Sequence, residues 1–161
     1  RRMCKRDRLE AIGIKVQTIK QHRTALVYED TDAFKPVMEA NRLPDSTKEE
    51  MTAKGSALLA ANKRAITVPL EVARLSHQVL ELAVDLVNRG NPNSVSDVGV
   101  AGGVGYAGVR GGALNIYINL PADESDKTFI VEDKKEGEVL LQQETYVSNK
   151  MYTDSLNIIN S

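Results

Sequence analysis

The sequence contains little of what metal sites and disulfide-stabilised folds are built from. It has one cysteine, Cys4, and two histidines, His22 and His77, which stand far apart in the chain. A single cysteine excludes an internal disulfide and favours a reducing compartment, so we expect a cytoplasmic protein. No metal-binding or metalloprotease spacing is present, and we expect no metal. Basic residues do not alternate with the few aromatic ones, so a nucleic-acid-binding face is not expected either.

Long apolar runs are also scarce. Only residues 98–120 are long enough to cross a bilayer, and Arg110 is the one charged residue among them. Seven glycines between residues 99 and 112 make this segment weakly hydrophobic, so a helix inside a soluble bundle is favoured over a membrane span. The N-terminus has no apolar core of the kind that marks a secretory signal, and no membrane partner is expected.

The apolar residues of the sequence follow a helical period. Apolar residues recur at spacings of three and four, and no alternating strand pattern of useful length is present. The sequence therefore predicts an all-α fold, a helical bundle that forms one domain over residues 1–161. The predicted helices cover residues 5–28, 32–42, 48–67, 69–89, 97–119 and 136–159, with a loop over residues 121–134.

Caps and prolines set these predicted boundaries. Asp30 or Thr31 is expected to cap the helix over residues 32–42. Residues 46–49, Ser-Thr-Lys-Glu, have the order of a capping box. Pro69 is expected to kink or restart the helix that reaches it.

Residues 90–97, Gly-Asn-Pro-Asn-Ser-Val-Ser-Asp, form the most informative motif. Gly90 suits the left-handed position after a helix end, and Pro92 stops the preceding helix. Ser94 and Asp97 have capping-box spacing, which places Asp97 in the first turn of the next helix. Such a helix start favours anions or developing charge, although an ordinary capped turn has the same pattern.

The helix over residues 97–119 is predicted to be the most buried one. One face carries Ala101, Gly105, Gly108, Gly112, Asn115 and Asn119. A second face carries Val100, Val104, Ala107, Leu114 and Ile118, and both faces are expected to be buried because the helix carries almost no charge. Each helical glycine costs roughly 1 kcal/mol relative to alanine. Close helix packing, or a ligand that lies on the backbone, is expected to offset this cost, and both readings stay open.

Residues 103–108 also match G-x-G-x-x-G. A dinucleotide site needs a buried strand before this motif and a βαβ unit around it. Asp97 and the helical flanks do not fit that context, so nucleotide binding is a minor alternative.

Several segments together resemble one family. They are residues 32–34, 40–44, 66–73, 80–83, 90–101 and 111–120, in matching order and with matching gaps. On these residues the chain resembles the formiminotetrahydrofolate cyclodeaminase family. That family includes the cyclodeaminase half of the bifunctional formiminotransferase-cyclodeaminase and bacterial methenyltetrahydrofolate cyclohydrolases. The resemblance implies an all-helical homodimer that acts on a folate substrate without a cofactor. The small-xxx-small spacing of Gly99, Gly103, Gly108 and Gly112 allows close helix approach in such a dimer.

The chain departs from the family pattern at one point. Members usually begin with a segment bearing Pro-x-Pro-Gly-Gly-Gly-Ser and a small-residue helix, and nothing in this sequence matches it. We expect the domain to lack that segment. A non-catalytic helical dimer that keeps the family scaffold is therefore an alternative to an enzyme.

The chemistry that the resemblance implies is ring closure on a one-carbon folate. In the cyclodeaminase reaction, N10 of 5-formiminotetrahydrofolate attacks the formimino carbon, ammonia leaves and 5,10-methenyltetrahydrofolate forms. The alternative is a cyclohydrolase that adds water to methenyltetrahydrofolate and gives 10-formyltetrahydrofolate. Both reactions pass through a tetrahedral carbon and need proton transfer.

Asp97 is the candidate catalytic residue, as a base or as a stabiliser of the methenyl cation. The candidate substrate-binding residues are Asn93, Ser94 and Asn115 for hydrogen bonds, Asp32 for the pterin and Arg42 for the glutamate tail. Each has an ordinary structural alternative, as a cap, a surface ion pair or a core hydrogen bond.

Overall fold

The structure, a computed structural model, describes residues 5–120 and 127–160. Over these ranges the chain forms four long α-helices and no strand, so the predicted all-α fold is confirmed. The helices are α1 (Lys5–Asn41), α2 (Lys48–Arg89), α3 (Val95–Ile118) and α4 (Lys127–Ile159), with a short 3₁₀ turn over Pro92–Ser94 before α3. α2 lies at the centre and packs against the other three helices, and α3 also packs against α4.

α1 is one continuous helix, whereas the sequence predicted two helices with a break near residue 30. Asp30 and Thr31 therefore lie inside α1 and are not caps. Buried apolar residues continue along one side of α1 past this point, and they pack on α2 through Ile19, Leu26, Ala33 and Val37. Because this seam is unbroken, packing against α2 outweighs the local capping preference of residues 30 and 31.

α4 also differs from the prediction. It begins at Lys127, so residues 127–134 are helical and not part of a loop. Residues 121–126 of the predicted loop lie outside the described residues. Asp133 and Leu140 are buried on this helix, so its buried side extends into the predicted loop, where the sequence shows no clear helical periodicity.

Pro69 does not interrupt α2, because another residue supplies the hydrogen bond that it removes. A proline leaves the carbonyl four residues earlier without its helical donor, and here that residue is Ala65. The side-chain Nδ2 of Asn119, just after the end of α3, donates to the Ala65 carbonyl oxygen at 3.1 Å. Because Ala65 is buried, water does not readily reach its carbonyl oxygen, and Asn119 provides the missing donor.

This arrangement predicts that Asn119→Ala lowers the free energy of unfolding by about 1–3 kcal/mol, the cost of an unsatisfied buried carbonyl. The Pro69→Ala background is the control, because it restores the amide N–H that can bond to Ala65. Chemical denaturation of the four proteins in this cycle, the unaltered one included, should show a smaller loss of stability from Asn119→Ala in the Pro69→Ala background. An equal loss in both backgrounds would refute the role assigned to Asn119.

The ends of α2 are capped differently from the prediction. The capping box is formed by Thr47 and Glu50, one residue later than predicted: the Glu50 amide donates to Thr47 Oγ1 at 3.1 Å and Glu50 Oε2 accepts from the Thr47 amide at 3.0 Å. Gly90 follows the helix with φ −77°, so it is not in the left-handed conformation. A side chain at Gly90 would instead collide with the carbonyl oxygen of Leu86, which accepts from the Gly90 amide.

The glycines of α3 bring its backbone close to α2. A Cβ atom at Gly105 would lie 3.2 Å from the carbonyl oxygen of Ser76, and one at Gly112 would lie 2.9 Å from the Cβ of Ala73. Gly108 lies directly over the Ser76 side chain. Around these contacts the core is fully closed, with Ile66, Leu70, Leu80, Val109 and Ile116 almost inaccessible.

The second apolar face of α3 is exposed, although the sequence predicted that both faces would be buried. Val100, Val104, Leu114 and Ile118 are 57–80% exposed. These residues, together with Ala107 and Gly111, form what we call the α3 outer face. None of the other described helices covers it, because α2 and α4 occupy the opposite side. No helix within residues 5–120 or 127–160 has both the length and the apolarity to cross a membrane.

Charged side chains tie α4 to the rest of the bundle. Glu144 is fully buried, and its Oε1 accepts a hydrogen bond from Arg110 Nε at 3.2 Å. Burial raises the pKa of the Glu144 carboxyl, and the Arg110 charge partly opposes this effect. The Arg110 guanidinium also lies 4.9 Å from the centre of the Tyr106 ring. Between α2 and α4, Arg74 makes a bidentate pair with Glu136 at 2.6 and 2.7 Å.

Candidate functional site

A groove of about 910 Å³ lies between α1 and α3, with α2 at its base. Its apolar wall consists mainly of Val16, Ile19, Leu26, Val27, Pro69, Val72 and Val79. Its polar groups include Lys20, Arg23, Thr24, Asp30, Thr31 and Asn115. On the α3 side the groove is lined by the backbone of Gly108, Gly111 and Gly112 and by Asn115. Apolar walls with a few converging polar groups are typical of small-molecule sites of this size.

Asn115 is the predicted substrate-binding residue that lines this groove. Its Nδ2 donates to the Gly111 carbonyl oxygen at 3.0 Å, one turn earlier in α3. Its Oδ1 is left as an acceptor on the exposed side of the helix. The structure therefore places Asn115 where it can accept a hydrogen bond from a ligand.

Asp97, Asn93 and Ser94 lie at the opposite end of α3. Asp97 is exposed in the first turn, as predicted. The predicted capping box is not formed, because the Ser94 side chain makes no capping hydrogen bond; the turn is instead closed by Asn91 Oδ1, which accepts from the Asn93 amide at 3.1 Å. Asp97 and Asn115 are separated by 18 residues of one helix, which is about 27 Å. One chain alone does not bring these two predicted residues together.

Asp32 and Arg42 do not line the groove either. Asp32 is exposed on α1, and its Oδ1 accepts from Lys35 Nζ at 2.8 Å. The hydrogen bond and the charge of Lys35 hold the pKa of Asp32 below its usual value. Arg42 is exposed in the turn just after α1, and its backbone amide donates to the Glu39 carbonyl.

The charged residues of the groove are Lys20, Arg23 and Asp30, and none of them is predicted as a site residue from the sequence. Arg23 is half-buried, and its Nη2 would lie 3.7 Å from a Cβ atom at Gly108, so the guanidinium reaches across to α3. Within the described ranges, none of these three side chains takes part in an ion pair or hydrogen bond. A continuous α1 places residues 20, 23, 27 and 30 along one side at spacings of three and four. Ending the helix at residue 28 concealed this stripe.

Comparisons with known proteins point in one direction. Residues 4–138 match the formiminotransferase-cyclodeaminase family. The chain is 35% identical over 144 residues to methenyltetrahydrofolate cyclohydrolase of Methylorubrum extorquens, covering 89% of this chain and 69% of that protein. It is 36% identical over 106 residues to formimidoyltransferase-cyclodeaminase of Mus musculus, covering 66% of this chain and 19% of the relative.

A solved structure agrees with these sequence matches. The crystal structure of formiminotetrahydrofolate cyclodeaminase from Thermotoga maritima superposes with a TM-score of 0.62 at 26% identity, over 91% of this chain and 67% of that one. The chain thus spans about two thirds of the bacterial relatives and about a fifth of the mouse protein. On the family match and the identity to the bacterial cyclohydrolase, this chain belongs to the formiminotransferase-cyclodeaminase family.

Proposed function

We propose that this protein is a cytoplasmic formiminotetrahydrofolate cyclodeaminase that works as a homodimer. It closes 5-formiminotetrahydrofolate to 5,10-methenyltetrahydrofolate and releases ammonia. The groove between α1 and α3 carries the proposal, because it offers apolar walls for an aromatic ring system and polar groups of both signs. The second candidate is methenyltetrahydrofolate cyclohydrolase, which the identity to the Methylorubrum extorquens protein favours.

The proposed reaction requires proton transfer at two nitrogens. N10 attacks the formimino carbon and gives a tetrahedral intermediate. The N10 proton and one further proton then move to the formimino nitrogen, the bond from carbon to that nitrogen breaks, and ammonia leaves. The product is a cation delocalised over N5, the one-carbon unit and N10. A carboxylate beside this centre would both carry protons and stabilise the cation.

Two carboxylates are candidates for this role. Asp97 is exposed at the start of α3 and makes no ion pair or hydrogen bond with the other described residues. Asp30 lies in the same groove as Asn115. Since Asp97 is about 27 Å along α3 from Asn115, it would act on a substrate in this groove only if it came from a second copy of the chain.

The reaction is tested by incubating the full chain separately with 5-formiminotetrahydrofolate and with methenyltetrahydrofolate. The absorbance of the methenyl compound reports both reactions. Its appearance from the first substrate supports the cyclodeaminase, and its accelerated loss from the second supports the cyclohydrolase. If the protein neither turned over nor bound either folate, the alternative of a non-catalytic helical dimer would be supported.

Asp97→Asn should lower turnover at least about tenfold, the lower part of what acid or base catalysis contributes. Folding should be nearly unchanged, because asparagine is also tolerated at helix starts. Asp7→Asn is the matched control, since Asp7 is an exposed acid in the first turn of α1 and should be dispensable. Asp30→Asn is measured in parallel. If Asp97→Asn kept full activity while Asp30→Asn lost it, the catalytic role would belong to Asp30.

A further inference from the structure

We infer that Arg23, with Lys20 beside it, binds the glutamyl carboxylates of the folate substrate. The substrate then lies along the groove between α1 and α3, with its tail at Arg23 and its one-carbon unit toward Asp30 and Asn115. The folate as ligand rests on the proposed function; the position and the orientation rest on the charges of the groove.

The surroundings of Arg23 favour a bound carboxylate. Its side chain is half-buried and reaches toward the backbone of α3 at Gly108, where a larger residue would crowd Ser76 and approach the guanidinium. No carboxylate among the described residues pairs with it. A guanidinium that has lost part of its water gains most from a carboxylate, which it can bind with two parallel hydrogen bonds. Lys20, one turn earlier in α1, supplies a second cation for the second glutamyl carboxylate.

The distribution of charge along the groove favours one orientation of the substrate. Asp30 is seven residues after Arg23 in α1, which places it about 10 Å farther along the helix. A methenylfolate has a cation at its one-carbon unit and carboxylates at its tail, with the p-aminobenzoyl ring between them. Val27 lies between the two charged positions, and Val72 of α2 lines the same groove, so the ring meets apolar side chains. The reversed orientation would place carboxylates beside Asp30 and the cation beside Arg23, which is unfavourable at both ends.

Arg42 is a poorer partner for the tail. It lies 19 residues after Arg23, in the turn beyond the end of α1, so about 28 Å of helix separates the two. It is exposed and outside the groove lining. A folate that contacts Asn115 in this groove would reach Arg23 more directly than Arg42.

Equilibrium binding to the full chain tests the assignment with two stable probes. They are 5-formyltetrahydrofolate and 5-formyltetrahydropteroate, which lacks the glutamate. Arg23→Met should raise the Kd of the glutamate-bearing probe at least about tenfold and leave the Kd of the other within about twofold, because only the first has the carboxylates. For Arg23→Lys the Kd of the glutamate-bearing probe should lie between those of the unaltered protein and Arg23→Met, since lysine keeps the charge but not the bidentate geometry. Lys15→Met is the control, because it removes an exposed cation of α1 outside the groove.

Three outcomes would overturn the assignment. Equal weakening of both probes by Arg23→Met would mean that Arg23 supports the shape of the groove and not the tail. If Arg23→Met left the Kd of the glutamate-bearing probe unchanged while Arg42→Met raised it, the glutamate tail would be assigned to Arg42. If the unaltered protein bound neither probe, the folate itself would be wrong, which is a failure of the proposed function and not of the Arg23 contact alone. If Arg23→Met failed to fold by circular dichroism, Arg23→Lys would decide by the same comparison of the two probes.

Discussion

Gly112→Ala should lower the free energy of unfolding by at least about 2 kcal/mol, as expected for overpacking against a rigid neighbour. Its Cβ atom would lie 2.7 Å from the Pro69 carbonyl oxygen and 2.9 Å from the Ala73 Cβ. Both neighbours are fixed in α2, so relief requires a shift of one helix against the other. Urea denaturation followed by circular dichroism measures the change.

Gly103→Ala is the matched control on the same helix. A Cβ atom there meets nothing within 4 Å, so only helix propensity changes, and stability should rise by roughly 1 kcal/mol. The same chemical change thus has opposite signs at two positions of α3. If Gly112→Ala were also stabilising, the close contact between α2 and α3 would be wrong.

Leu114→Glu should raise the dissociation constant of the proposed homodimer at least about 100-fold, because it buries an unpaired charge twice in one interface. The α3 outer face is apolar along its length and exposed. Its residues are symmetric in size about position 109: Val100 matches Ile118, Val104 matches Leu114, and Ala107 matches Gly111. An antiparallel pair of α3 helices on a twofold axis would bring these partners together, large against large and small against small. Gly108 and Gly112 are already used against α2, so they are not available for this contact.

The twofold arrangement makes a second, sharper prediction. Val104 of one copy faces Leu114 of the other, so the double variant Val104→Lys with Leu114→Glu should regain the dimer that each single substitution loses. Sedimentation velocity at micromolar concentration separates the states. A double variant that stays monomeric would exclude the antiparallel pairing, and an unaltered protein that is monomeric would exclude the dimer.

The same pairing bears on the distance between Asp97 and Asn115. Symmetry about position 109 places Asp97 of one copy near the C-terminal end of the other α3, where Asn115 and Asn119 lie. Loss of turnover in Leu114→Glu, regained in the double variant, would support a site completed by two chains.

The helical class and the positions of most helices could be predicted from the apolar period alone, because that period reports which side of each helix is buried. The boundaries at residue 30 and at Pro69 could not. Each boundary was predicted from neighbouring residues, but a distant contact decides the structure there. At residue 30 this contact is the packing of α1 on α2 around Ala33, and at Pro69 it is the hydrogen bond from Asn119 to the Ala65 carbonyl oxygen. Neither partner is visible in a window of neighbouring residues.

The candidate site was predicted only in part for the same reason. Asn115 was identified from the small-residue face of α3, and it lines the groove. Arg23 and Asp30 become neighbours only when α1 is continuous between them. Asp97 remains a candidate from its place in the motif at residues 90–97, and its relation to the groove depends on a contact between chains, which one sequence does not encode directly.

α1 is joined to the rest of the described bundle almost entirely through α2. A helix held on one side only can open as a unit at less cost than the global unfolding free energy, and its amides exchange with solvent accordingly. A ligand in the groove would contact α1 and α3 together and add a second link between α1 and the rest of the described bundle. The apparent affinity of the ligand then depends on the equilibrium between molecules in which α1 is packed on α2 and molecules in which α1 is open. Substitutions far from the groove that loosen α1 from α2 would weaken binding, because they lower the fraction of molecules that can bind.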